Sequence, residues 1–224
     1  MGKNFLNSFF FLLLFLGAIS QADNFIFQWS SYTTYFRKDI DDRGINIENA
    51  ARYLDGFTLW PKTIFSFNED VTSNIPQEHL GVASILSGER ITPGFGGGLC
   101  QVSSTLYAAS LYSGLSIYER KGHSKPVSYI PPGLDATVSK DDGSDLKIFN
   151  PYNCQLLIRA AVKGNCLTVS IWGPKPKPRE VKVILGRPER IENFIYTTTQ
   201  RHILTKGKVI FSEIVSRDKY IISD

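Results

Sequence analysis

Histidine and cysteine are scarce in this chain, with three of each in 224 residues and no close grouping of the two. A zinc site needs such a grouping, so no metal is expected. The one glycine-rich loop lacks the Lys-Ser/Thr pair of a phosphate-binding P-loop, so no cofactor is expected either. Charge of one sign is also lacking. The net charge is +4, and Lys and Arg form no long run. That balance leaves no electrostatic footprint for nucleic acid. The densest basic cluster, Pro174-Lys175-Pro176-Lys177-Pro178-Arg179, is proline-rich and reads as a stiff connector. No internal repeat or low-complexity tract occurs. Beyond residue 22 no apolar run reaches the roughly 20 residues that a spanning helix needs.

What is present is globular in composition, with 42% hydrophobic residues and enough length for one sizeable domain and a small appendage. The N-terminus reads as a targeting segment. Lys3 precedes a nearly continuous apolar stretch over residues 5–19, and the small residues Gly17, Ala18, Ser20 and Ala22 follow. This is the layout of a signal peptide, cleaved after Ala18-Ile19-Ser20 or Ser20-Gln21-Ala22. An uncleaved N-terminal anchor is the alternative, with the segment acting as a membrane tether. No cysteine follows the apolar run, which argues against a lipoprotein. In either case the remainder is expected to be exported and extracytoplasmic. The expected organisation is a targeting segment at 1–22, a main domain at 23–174, the connector at 175–180 and a small β-rich extension at 181–224.

An exported chain with three cysteines raises the question of pairing. Cys154 and Cys166 flank an expected hairpin of residues 155–162 and 167–172, turning at Lys163-Gly164-Asn165. A turn centred on Lys163-Gly164 sets Cys166 opposite Ala161 and Cys154 opposite Gly173. At about 3.3 Å per residue the two are on the order of 20 Å apart. A disulfide allows about 6 Å, so these two are not expected to pair.

Elsewhere the pattern is mixed. Phe25, Phe27 and Trp29 alternate as in a strand. Ile47, Ala50, Ala51 and Leu54 share a helix face, with Asn46 as N-cap and Gly56 as terminator. Residues 57–59 and 64–67 read as short strands. Residues 80–86, apolar and ending at Gly88, read as a short helix. From Leu115 the texture is β, with strands over 115–120, 127–130, 136–138 and 146–149 before the hairpin, and 181–185, 193–198, 208–215 and 220–222 after the connector. The order favours an α+β fold, with a few short helices against a mostly antiparallel sheet.

Residues 94–107, Gly-Phe-Gly-Gly-Gly-Leu-Cys-Gln-Val-Ser-Ser-Thr-Leu-Tyr, carry the chemistry. Four glycines in five positions make a turn, not a helix interior. Val102, Leu106 and Ala109 then fall on one helix face, and Gly114 sits where a helix-terminating glycine belongs. Cys100 is therefore expected at the mouth of a helix, where partial positive charge and unpaired N–H groups favour a thiolate. A small buried thiol beside a structural turn fits the same spacing.

Over this stretch the chain resembles the VanW family. The resemblance continues through Glu119-Arg120, His123-Ser124, Pro126-Val127, Tyr129, Gly133-Leu134-Asp135-Ala136-Thr137-Val138 and Asp145-Leu146-Lys147. Upstream it includes Arg43-Gly44-Ile45-Asn46-Ile47 and Phe65-Ser66-Phe67-Asn68, and in all it spans about residues 30–175. The family commonly has Pro-Gly where this chain has Pro61-Lys62. The resemblance implies a cell-envelope protein facing peptidoglycan. It also implies a possible L,D-transpeptidase-like activity on stem peptides, carried by Cys100. The alternative is a wall-binding or accessory module without chemistry.

Acyl transfer needs a nucleophile, a base, an orienter for the base and oxyanion donors. Cys100 is the nucleophile candidate. His123, the histidine flanked by motif residues, is the base candidate. Asp135 is the orienter candidate, with Asp145 second. The oxyanion donors are expected at the Cys100 and Gln101 N–H groups, with the Gln101 side chain, Gly97 and Gly98 nearby. Ser103 and Ser104 lie on the Cys100 face of the helix and are candidates for substrate contact. Arg120 is a candidate clamp for a substrate carboxylate, and Tyr129 a candidate groove wall. His before Cys is the order of better-known L,D-transpeptidases; here Cys comes first.

Overall fold

The computed structural model describes residues 25–38, 41–87 and 90–222, so the expected targeting segment lies outside the described residues. Two helices form where the apolar spacing predicts them, and one sheet receives both. That sheet is antiparallel, in the order β1 (Phe27–Tyr35), β9 (Cys166–Gly173), β8 (Leu156–Lys163), β2 (Phe57–Leu59). Leu156 and Ile158 on β8, with Leu167, Val169 and Ile171 on β9, point to one face and are fully buried. Helices α1 (Arg43–Leu54) and α3 (Leu99–Ser113) cover that apolar face. Ile47, Leu54, Leu106 and Leu111 fill the layer between helices and sheet.

Three further antiparallel groups surround this layer. The first is β3 (Ile64–Ser66), β7 (Lys147–Phe149), β6 (Ser116–Glu119), next to the short helix α2 (Phe67–Asp70). The second is the hairpin β4 (Val82–Ser87) with β5 (Arg90–Phe95). The third comprises β10 (Glu180–Leu185), β11 (Glu189–Ile191), β12 (Phe194–Thr205) and β13 (Lys208–Ile221). The whole is α+β, with every strand pairing antiparallel. No described helix is long and apolar enough to cross a membrane.

Several local expectations are corrected. Residues 80–86 do not form a helix, because Val82–Ser87 finds a ladder partner in Arg90–Phe95. Gly94 permits that close pairing: a Cβ there would meet Ile85 Cδ1 at 2.3 Å. Residues 127–130 and 136–138 are irregular segments, the second held to Lys121 by an isolated bridge at Thr137. Phe67 opens α2 instead of ending a strand. Residues 208–215 and 220–221 belong to one strand, β13, which ends before residue 222. The hairpin turn falls one residue later than expected, with Lys163 opposite Cys166. No disulfide joins the three cysteines, all of which are described. Lys62 stands at φ 59°, a left-handed position that explains why a glycine suits that place in the family.

Asn46 is not the N-cap of α1. The helix starts at Arg43, and the Asn46 N–H already bonds Asp42 O at 3.0 Å. Its fully buried side chain ties the helix to the glycine turn instead. Nδ2 donates to Gly81 O at 3.0 Å and Gly97 O at 2.9 Å, and Oδ1 accepts from the Gly81 N–H at 2.7 Å. Asn46→Ala would leave the buried Gly97 carbonyl and the half-buried Gly81 N–H without these partners, while Gly81 O keeps the Gly96 N–H. It is expected to destabilise the protein by on the order of 2–3 kcal/mol, read as a shift of the urea midpoint at unchanged slope.

Candidate functional site

The glycine turn delivers Cys100 to the site. Gly96 at φ 75° and Gly98 at φ 119° take conformations that favour glycine. Gly97 lies so close to β4 that a Cβ would meet the Ala83 side chain and the Ser84 carbonyl at 2.8 Å each. Helix α3 starts directly after the turn. It ends at Gly114, φ 83°, where the Gly114 N–H bonds Leu111 O and the Leu115 N–H bonds Ser110 O, a Schellman closure.

Ser103 and Ser104 do not face an open cleft. Ser104 Oγ donates to Cys100 O at 2.6 Å and accepts from the Ala136 N–H at 2.9 Å. Ser103 Oγ donates to Ala136 O at 2.6 Å. The two hydroxyls moor the irregular segment 135–138 against the first turn of α3. Cys100 Sγ completes the mooring, at 3.4 Å from Val138 O and 3.5 Å from Val138 N. The thiol is half-buried.

That mooring sets Asp135, only 1% exposed, beside His123. Asp135 Oδ2 accepts from both the His123 N–H and His123 Nδ1, each at 2.7 Å. With Nδ1 engaged, Nε2 is the ring nitrogen left for the thiol. Burial of the imidazole disfavours its charge, but hydrogen bonds to Asp135 and Cys100 outweigh this and raise its pKa to about 9. Burial alone would raise Asp135; the His123 hydrogen bond and the Arg120 charge hold it down at about 2. Cys100, His123 and Asp135 are thus brought together. Asp145 is not among them. It caps α2, accepting from Ser66 Oγ at 2.6 Å and the Asn68 N–H at 2.9 Å.

Arg120 and Gln101 are committed to bonds within the protein, while Tyr129 lines a groove. Arg120 is buried in ion pairs and is not presented as a clamp. Its Nε donates to Asp135 O at 2.6 Å, its Nη2 to Asp135 Oδ1 at 3.1 Å, and its Nη1 pairs with Asp218. The Gln101 side chain donates to Thr34 Oγ1 and Tyr35 O, tying α3 to β1, and its N–H bonds Gly98 O at 2.9 Å. The Cys100 N–H has no backbone partner among the described residues. Tyr129 stands edge-on to His123, with ring centroids 6.5 Å apart. Its hydroxyl is buried without a hydrogen-bond partner among the described residues. Burial, followed by the nearby Cys100, pushes that phenol well above its ordinary pKa. Beside these residues runs a groove of about 590 Å³ walled by Tyr129, Arg43, Tyr35, Leu86 and Ile91.

The sequence reading missed Tyr220, whose hydroxyl donates to Asp135 Oδ1 at 2.5 Å, and Asp218, which pairs with Arg120. No motif marks either one. The tail that carries them docks directly on the site.

The pKa directions predict a stability profile. His123 is raised above the unfolded value of about 6.5, so its contribution is full below that pH and is lost as pH rises through about 9. Asp135 is lowered, so its contribution is full above about pH 4 and is lost as pH falls through about 2. Melting scans should therefore show a plateau near pH 4–6.5 and an alkaline fall, at about 2–4 °C per kcal/mol for a chain of this size. His123→Gln should flatten the alkaline fall.

Comparison with known proteins agrees with the motif pattern. The family described as VanW like protein matches residues 42–172, more than half of the chain. The uncharacterized protein YoaR of Bacillus subtilis is 36% identical over 164 residues, covering 73% of this chain and 54% of that protein. The vancomycin B-type resistance protein VanW of Enterococcus faecalis is 26% identical over 151 residues, covering 65% of this chain and 54% of that protein. The chain thus spans about half the length of these curated relatives. No solved structure matches it. On the extent of the family match and the identity to YoaR, the chain belongs to the VanW-like family.

Proposed function

We propose that this protein is an exported cysteine acyltransferase acting on peptidoglycan stem peptides. One observation carries the reading: the His123 imidazole is bracketed by the Cys100 thiol and the Asp135 carboxylate. An imidazole placed between a thiol and a carboxylate is the arrangement by which a cysteine nucleophile is activated. Asp135 engages Nδ1, which leaves Nε2 as the ring nitrogen for the sulfur.

The reaction follows from these positions. The thiolate attacks a stem amide carbon, and the oxyanion forms near the Cys100 N–H at the mouth of α3. His123 Nε2 gives its proton to the departing amine as the C–N bond breaks, leaving a thioester on Cys100. An amine of a second stem attacks the thioester and gives its proton back to Nε2. Thiolate leaves, and the new amide is complete. Water in place of the amine would make the same site a peptidase. The groove of about 590 Å³ alongside supplies room for an extended peptide, with Arg37, Arg43 and Lys125 as cations on its wall. The family resemblance and the apolar N-terminal stretch support the envelope location.

The test is incubation of the purified protein with muropeptides, with products read by mass spectrometry. Wild type should release an amino acid and form cross-linked dimers. Cys100→Ala should abolish both products. His123→Ala should slow them by about 10²–10⁴-fold, the usual share of a general acid-base. Full turnover by Cys100→Ala would sink the reading.

A further inference from the structure

We infer that Tyr220 is a positioning residue for the Asp135–His123 pair, which makes the C-terminal sheet a working part of the site. The inference builds on the role given above to His123, and it concerns a residue well past the matched family segment, which ends at 172.

Tyr220 is fully buried, and its hydroxyl is committed twice. It accepts the Gly133 N–H at 2.7 Å and donates its single proton to Asp135 Oδ1 at 2.5 Å. Burial, joined by the Asp135 charge, pushes the phenol far above its ordinary pKa, so it remains a donor at every working pH. The neighbouring residue of the same strand holds the other partner: the Ile221 N–H bonds Ser124 O at 2.7 Å, one position from His123. Strand β12 clamps the intervening turn, since Thr199 Oγ1 donates to Gly133 O at 3.2 Å. A Cβ on Gly133, at φ 90°, would meet that Thr199 oxygen at 2.4 Å.

Two strands of the C-terminal sheet therefore grip both the His123 loop and the Asp135 loop. The charged and titratable groups facing the Asp135–His123 pair are Arg120 just past β6, Tyr107 and Cys100 from α3, Tyr129 from the His123 loop, and Tyr220 and Asp218 from β13. Of these, Arg120 and Tyr220 share Oδ1. Without the Tyr220 hydroxyl, Arg120 is left alone at Oδ1 and draws the carboxylate toward itself. The Oδ2 contacts to His123 then loosen, and the support that raises the imidazole pKa weakens.

The test is an NMR titration of the His123 ring in the full chain, beside the pH profile of site-resolved Cys100 alkylation. In Tyr220→Phe the ring midpoint should fall by up to about one pH unit, the worth of the charged Nδ1–Oδ2 hydrogen bond that loosens. The alkylation profile should move with it. Packing is nearly the same in this variant, so a purely structural role would lower the melting temperature and leave both profiles in place. An unchanged or raised midpoint in the folded variant overturns the inference. Should Tyr220→Phe fail to fold, wild type decides by hydrogen exchange. The His123 Nδ1 proton should exchange no faster than the β13 amides, and exchange while those amides stay protected overturns it. Neither measurement needs turnover, so loss of the acyltransferase reading and loss of this inference remain distinguishable.

Discussion

One buried carboxylate governs the arrangement of this molecule. Asp135 is almost wholly removed from water, and such a charge costs several kcal/mol unless it is paired and hydrogen-bonded. Four groups meet the cost together: the His123 N–H and ring, the Arg120 guanidinium and the Tyr220 hydroxyl. Arg120 carries its own burial debt, which Asp218 offsets. The result is a chain of alternating charge from the imidazole to β13, in which each member is tolerable because of the next.

The fold supplies this network from parts that are distant along the chain. Helix α3 is buried nearly all round, yet its hydroxyl-bearing residues do not weaken it, because they bond outward as well as back. Ser30 Oγ reaches Ala109 O, and Thr34 pairs with Thr105, so β1 is stitched to the middle of the helix. At the N-terminal end Ser103 and Ser104 do the same for the Asp135 segment. Hydroxyls in that first turn are mooring posts for the segment that carries the acid, which is why they are unavailable to a substrate.

Local pattern made part of this legible. Helices α1 and α3, the closing Gly114 and the long hairpin follow from periodicity and turn chemistry. The family motifs drew attention to Cys100, His123 and Asp135, which the fold assembles. The failures have physical causes. A seven-residue apolar run such as 80–86 fits a strand or a helix equally, and only the partner at 90–95 decides it. Asn46 has the chemistry of a cap, but whether it caps or cross-links depends on the distant Gly81 and Gly97. Arg120 looked free because its two acids are tertiary neighbours. Tyr220 is one of ten tyrosines, and nothing local distinguishes it.

The separation between Tyr220 and its acceptor, 85 positions along the chain, has a consequence for biosynthesis. A ribosome exposes the thiol, the imidazole and the carboxylate long before it has made the strand that carries the Tyr220 hydroxyl. The buried carboxylate therefore has its full set of partners only once β13 has docked.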